Sequence, residues 1–221
     1  MKIFLDTADL KVVKYHLETG LIDGVTTNPS LILKSGVQLT DRIKELADIG
    51  VPDISAEVVG ETSEEMLSMA ESLYSISPQV TIKVPCTKEG LKACKFLSDR
   101  GIRVNVTLIF SVSQAILAAN AGATYVSPFI GRLDDQRLGG VDLVKKIASV
   151  YREHLARTKV LAASTRSVYD VEKAFEVGAD VVTMPPSIFE KMYDHDLTTK
   201  GIKIFNSDWK AAIAATTDQP E

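Results

Sequence analysis

One lysine stands where a lysine is hard to accommodate. Lys83 interrupts the run Val80-Thr81-Ile82-Lys83-Val84-Pro85, which has the composition of a buried strand. Side chains alternate along a strand, so Val80, Ile82 and Val84 share one face and Thr81 and Lys83 the other. The same division recurs elsewhere. Ile54, Ala56 and Val58 oppose Ser55 and Glu57; Val104, Val106 and Leu108 oppose Asn105 and Thr107; Ile3 and Leu5 oppose Phe4 and Asp6. Parallel strands covered on both faces should be almost uniformly apolar, so this polar set asks for an explanation. Desolvation favours the neutral amine of a lysine, the form that attacks a carbonyl to make a Schiff base. The carboxylates of Asp6 and Glu57 favour the ammonium instead, and a nearby arginine would favour the amine. The residues alone leave that balance open.

Two arginines fall just past strand ends. Arg132 follows Ser127-Pro128-Phe129-Ile130-Gly131, and Arg166 follows Ala163-Ser164-Thr165 where a helix should begin. Helix N-termini offer free N–H groups and arginine adds a bidentate fork, so together they would make a phosphate seat, whereas either one alone reads equally well as a solvated surface arginine. The segment Val25-Thr26-Thr27-Asn28-Pro29-Ser30 reads as a turn entering a helix with proline in its first turn. It also offers Asn28 to substrate hydroxyls. The histidines His16, His154 and His195 lack metal spacing and read as surface or capping residues. Cys86 and Cys94 form neither a CxxC nor a Cys/His zinc pattern, which predicts free thiols in a reducing cytosol and no metal. Trp209 reads as an anchor.

The elements that must position these groups alternate from end to end. Strands are predicted at 2–5, 22–25, 53–58, 80–84, 103–108, 124–127, 159–163 and 180–184, with helices at 8–19, 63–75, 88–100, 112–121, 140–155 and 167–176. Gly20, Gly50, Gly101, Gly122 and Gly178 stand where left-handed caps should end helices. Eight βα units favour a closed (β/α)8 barrel of the α/β class over an open doubly wound sheet. An open sheet would also carry a glycine-rich loop after strand 1, and here Asp6-Thr7-Ala8-Asp9 follows. The expected organisation is one domain over 1–221, with 196–221 a C-terminal helix and tail whose last residues, 216–221, fray. That helix, with Trp209, Ala212 and Ile213, should pack on its own barrel or on a neighbouring subunit.

In a barrel the polar set falls at the C-terminal strand ends, where such folds place their sites. Asp6, Glu57, Lys83, Asn105, Thr107 and Ser127 should therefore converge. The structural alternative is a self-satisfied ion network, which an apolar plug would replace at lower cost.

The bulk properties set limits on partners. The 221 residues are 45% hydrophobic and 24% charged, with net charge −4 and no long basic run, so nucleic acid and anionic membranes are not expected. The opening MKIFLDTADL lacks the apolar core of a signal peptide, and no stretch is long enough to span a bilayer. A cytoplasmic setting is expected.

The chain resembles the transaldolase family in its short form, which also includes fructose-6-phosphate aldolases. The resemblance covers nearly the whole chain. It rests on FLDTA at 4–8, GVTTNPSL at 24–31, SAEV at 55–58, IKVP at 82–85, NVTLIFS at 105–111, SPFIGR at 127–132 and ASTRS at 163–167. It implies Lys83 as Schiff-base lysine, Asp6 as the acid/base at the C4 hydroxyl, and Glu57 with Thr107 as holders of a proton-shuttling water. It further implies Asn28, Asn105 and Ser127 on the dihydroxyacetone hydroxyls, Thr27 beside them, and Arg132, Ser164 and Arg166 on the phosphate. The iminium is the electron sink, so no cofactor is implied. The reaction would move a three-carbon unit from sedoheptulose 7-phosphate to glyceraldehyde 3-phosphate, in the pentose phosphate pathway. The aldolase subgroup usually has Gln in place of Glu57 and Tyr in place of Phe129, so these two residues favour transfer over release of free dihydroxyacetone. A non-catalytic phosphosugar-binding barrel is the alternative of another class. Short members form rings of five, often stacked as ten, which implies a homo-oligomer.

Overall fold

The computed structural model describes residues 1–217, with side-chain environments to residue 215; the frayed end expected at 216–221 falls mainly outside them. Eight strands, β1 Lys2–Asp6, β2 Gly24–Thr26, β3 Ile54–Glu57, β4 Val80–Pro85, β5 Val104–Ile109, β6 Tyr125–Pro128, β7 Lys159–Ala162 and β8 Val181–Met184, pair in parallel with their neighbours in sequence. β8 also pairs with β1, Lys2 opposite Val181, which closes the barrel and removes the open-sheet alternative. Around it run α1 Leu10–Leu17, α2 Pro29–Ser35, α3 Leu39–Asp48, α4 Ser63–Tyr74, α5 Lys88–Ser98 and α6 Val112–Asn120. They are followed by α7 Ile130–Asp134, α8 Gly140–Glu153, α9 Val168–Glu176, α10 Pro186–Lys191 and α11 Asp196–Thr217.

The strand alternation sorts residues as the sequence implies. Leu5, Val25, Ile54, Ala56, Ile82, Val84, Val104, Val106 and Val182 are buried against the helices. Inside the barrel a separate cluster of Phe4, Tyr125, Leu161 and Val181 fills the lower half. That apolar plug supports the polar residues above it rather than replacing them. Gly24 is required beside it, because a Cβ there would lie 2.7 Å from the Phe4 ring and 2.6 Å from the Asp53 carbonyl. At the base, buried Asp53 accepts from Thr81 Oγ1 (2.8 Å), Arg103 (2.5 Å) and Tyr125 Oη (2.9 Å), so its charge is paired.

The five glycines expected as helix caps all have positive φ, from 69° to 105°. One strand departs from simple alternation. The β5–β6 register shifts between Val106 and Ile109, and Leu108 takes φ of 58°. This bulge turns Leu108, expected on the helix side, toward the barrel mouth, and places Ile109 in the helix layer. His16 also differs from expectation. It is only 3% exposed, stacked edge-on with Phe189 and 3.6 Å from Glu190, because α10 folds back over α1.

α11 lies beyond the eighth unit. Its Leu197, Ile202, Phe205 and Trp209 are all more than half exposed, so the apolar stripe is not covered by this chain's own barrel.

Candidate active site

Asp6, Thr26 and Glu57 are the last residues of β1, β2 and β3, and Lys83 lies two residues before the end of β4. Their inward phase and shared height bring them to one cavity of about 440 Å³ at the C-terminal mouth of the barrel. Asn28, Leu108, Ser127, Phe129, Arg132, Ser164 and Thr183 complete its wall.

Lys83 is 5% exposed. Its Nζ donates to Glu57 Oε2 at 2.8 Å and to the Thr27 carbonyl at 3.2 Å. Glu57 and Lys83 are register partners across β3 and β4, so the ion pair follows from the sheet itself. Among the described residues its partners are thus a carboxylate and a backbone carbonyl, both of which favour the ammonium. Asp6 accepts from Thr26 Oγ1 at 2.8 Å, and Thr26 Oγ1 lies 2.6 Å from Thr183 Oγ1. Burial pushes the Asp6 carboxyl above the usual range and the Glu57 charge adds to this, while the Thr26 hydrogen bond and the Lys83 charge pull it down.

The remaining expected residues divide by depth. Asn28 reaches the cavity but its Oδ1 caps α2 through the Leu31 N–H, leaving its amide N–H groups as donors. Asn105 is fully buried beneath the cavity floor. It donates to Ser55 Oγ (3.2 Å) and accepts from Ser127 Oγ (2.8 Å), so it orients Ser127 rather than facing the opening. Thr27 is also fully buried; its hydroxyl is held by the Ser55 carbonyl, and its own carbonyl holds Lys83. Thr107 is fully buried with an Oγ1 that has no hydrogen-bond partner among the described residues. Phe129 lines the mouth, with the Arg132 guanidinium 5.0 Å from its ring centre.

The anion seat differs from the sequence expectation in two respects. At α7 the first N–H groups are already bonded, Ile130 and Gly131 donating to the Ala163 and Ser164 carbonyls; at α9 the N–H groups of Arg166 and Ser167, which precede the helix, donate to Asp170, and the Asp170 N–H donates to Ser167 Oγ. The terminal N–H groups of α7 are therefore less available than a bare terminus suggests. Arg132 and Ser164 line the cavity, whereas Arg166 lies just outside it, held by both oxygens of Asp135. Ser164 has φ of 59°, a strained conformation that turns it to the mouth. Among the described residues, no three His, Cys, Asp or Glu side chains gather as a metal site.

Thr26, Leu108 and Thr183 were not singled out by sequence reasoning. The alternation that revealed Lys83 also marks Thr26, opposite outward Val25, and Thr183, opposite outward Val182. Both look ordinary because threonine is at home in strands. Leu108 carried no signal, since only the bulge exposes it.

The family described as Transaldolase/Fructose-6-phosphate aldolase matches residues 3–219. Curated relatives named "Probable transaldolase" from Paracoccus denitrificans and Caulobacter vibrioides are each 50% identical over 209 residues, covering 95% of this chain and 96% of theirs. A relative of the same name from Cereibacter sphaeroides is 48% identical, covering 95% of each chain. A solved mandelate oxidase structure aligns with TM-score 0.60 at 15% identity, over 83% of this chain and 64% of that one, a likeness of fold alone. A family match spanning almost every residue, half-identical full-length relatives and a lysine–carboxylate cluster at the barrel mouth lead to one statement: the chain belongs to the transaldolase/fructose-6-phosphate aldolase family.

Proposed function

We propose that this enzyme is a transaldolase that moves a dihydroxyacetone unit between sugar phosphates through a Schiff base on Lys83. One observation carries the reading. The Lys83 amine sits inside the barrel mouth, 2.8 Å from a carboxylate able to accept its proton, in the cavity that also holds Asp6. Glu57 takes the ammonium proton, and the free amine adds to the ketose C2 carbonyl. Loss of water then leaves an iminium. Asp6 removes the C4 hydroxyl proton; the C3–C4 bond breaks, its electron pair flows into the iminium, and the shortened aldose departs. The resulting enamine attacks the carbonyl of an acceptor aldose phosphate, and Asp6 returns its proton to the new hydroxyl. Water then hydrolyses the iminium.

Each neighbour has a part in this scheme. The unpartnered Thr107 hydroxyl suits the water exchanged during imine formation, shared with Glu57, since a buried hydroxyl requires a partner. Ser127, oriented by Asn105, and the Asn28 amide take the dihydroxyacetone hydroxyls. Arg132 and Ser164 take the phosphate, with Arg166 recruited from Asp135. Phe129 brings no hydroxyl to protonate the enamine, which favours transfer to an acceptor over release of dihydroxyacetone. The reaction belongs to the non-oxidative pentose phosphate pathway. A cytoplasmic setting fits the two free cysteines, and among the described residues no helix is long and apolar enough to cross a membrane. The exposed stripe of α11 suits a homo-oligomer, a pentamer or decamer, in which a neighbouring copy covers Phe205 and Trp209.

Borohydride reduction in the presence of fructose 6-phosphate, followed by peptide mass analysis, tests the mechanism. A three-carbon adduct on the Lys83 peptide is expected. Its absence overturns the Schiff base and leaves a phosphosugar-binding barrel. Cleavage of fructose 6-phosphate equally fast without an aldehyde acceptor overturns transfer in favour of aldolase activity.

A further inference from the structure

We propose that Thr26 and Thr183 form a two-hydroxyl relay that serves both protonation states of Asp6, and so position and tune it for carbon–carbon cleavage. The inference rests on the reading of Asp6 as the group that moves the C4 hydroxyl proton.

The argument is a count of protons. Each threonine hydroxyl has one proton to donate and lone pairs to accept. When Asp6 is ionised it can only accept, so the 2.8 Å contact uses the Thr26 proton. The 2.6 Å contact between Thr26 and Thr183 must then use the Thr183 proton. Both dipoles point toward the carboxylate and polarise one another. When Asp6 has taken a proton, the chain reverses: Asp6 donates to Thr26 Oγ1, Thr26 donates to Thr183 Oγ1, and the Thr183 proton turns into the cavity that it lines. Neither state strands a buried hydroxyl. A base that must hold a proton during cleavage and return it after transfer requires partners that are satisfied both ways.

The fold holds the relay rigidly. β2 and β8 flank β1 on its two sides, Asp6 is the register partner of Thr26, and both hydroxyls come from strands, not loops. Thr26 and Thr183 are each 2% exposed, and the Thr183 carbonyl accepts from Thr165 Oγ1 at 3.0 Å, which fixes the end of β8. The charged groups acting on Asp6 are Lys83 from β4 and Glu57 from β3; Arg132 and Lys34 line the same cavity. All four stay in place when a threonine is replaced, so a difference between variants reports the relay.

The test compares pH profiles of fructose 6-phosphate cleavage, with an aldose phosphate acceptor, in single and paired variants. Thr26→Val removes the donor to the ionised carboxylate. The acid limb of kcat/KM should therefore move up by about 0.5–1 pH unit. Thr183→Val should lower kcat about fivefold with little change in KM, because protonated Asp6 then leaves the Thr26 proton without an acceptor. Thr26→Val with Thr183→Val should be no slower than Thr26→Val alone, since the chain is already cut. Serine at either position should restore the wild-type profile, and this keeps the test informative if a valine variant folds poorly. An unmoved acid limb in Thr26→Val, or losses that multiply in the double variant, would overturn the relay. Asp6→Asn separates the two levels: if it cleaves at the wild-type rate the reading of Asp6 itself fails, whereas slow cleavage with an unmoved Thr26→Val profile fails the relay alone.

Discussion

Replacing Lys83 by methionine, alone and together with Glu57→Gln, measures the lysine–carboxylate pair. The two side chains are 7% and 15% exposed and their charges are 2.8 Å apart. At an effective dielectric constant of about 20, the gross attraction at that distance is about 6 kcal/mol. Much of it is offset by withdrawing both ions from water. Removing one partner of a buried pair leaves the other desolvated, at a cost of about 3–5 kcal/mol. Glu57 keeps some contact with solvent, so the expected loss for Lys83→Met is at the lower end, about 2–3 kcal/mol. For a domain of this size, each kcal/mol moves the melting temperature by about 2–4 °C, giving a drop of about 4–12 °C. The double variant carries two neutral groups, and should be more stable than the sum of the single effects predicts by about 2 kcal/mol. Urea unfolding gives the cycle, and circular dichroism confirms that each variant is folded. Lys83→Met should also be inactive and form no borohydride adduct. A Lys83→Met variant that melts with the wild type, or single effects that add in the double variant, would refute the buried pair.

Asp6 makes a prediction of opposite sign for stability. Its folded carboxyl holds a proton to higher pH than the unfolded one, so in that window the native state binds more protons and stability falls as pH rises. Asp6→Asn should therefore match the wild type below the ordinary carboxylate value of 3.8 and exceed it at neutral pH while cleaving slowly; equal melting temperatures at both pH values would count against a desolvated Asp6. Asp135→Asn should release Arg166 toward the mouth and lower KM for phosphorylated substrates, and Arg166→Ala should raise it; steady-state kinetics that leave both KM values unchanged would move the phosphate seat elsewhere. Trp209→Glu in the exposed stripe of α11 should shift the protein to smaller species in sedimentation, and an unaltered assembly would remove this helix from the subunit contact.

The barrel was legible because its signals are local and repeated. Eight apolar runs, capping glycines and period-two alternation each follow from backbone geometry, and they agreed along the whole chain. The same alternation exposed Lys83, Glu57 and Asp6, because a charge in a buried strand violates the pattern. Threonine violates nothing there, so Thr26 and Thr183 passed unseen although they sit in the same phase. Leu108 was assigned to the wrong side because a bulge adds a residue without leaving a mark in hydrophobicity. The arginines fall just past the strand ends, as their spacing implies, but nothing in the sequence marks their partners. Asp135 and Asp170 follow the strand ends by a few residues, and only folding shows which carboxylate reaches which cation.

What the sequence determined by itself is the cylinder and the inward face of each strand, since both depend on steric preferences acting within a few residues. Tertiary structure decided the depth of each side chain and its company. It put Asn105 and Thr107 beneath the floor, Arg166 outside the wall and two hydroxyls behind Asp6. Those outcomes depend on strand stagger and side-chain packing between segments far apart in the chain, which no local pattern encodes.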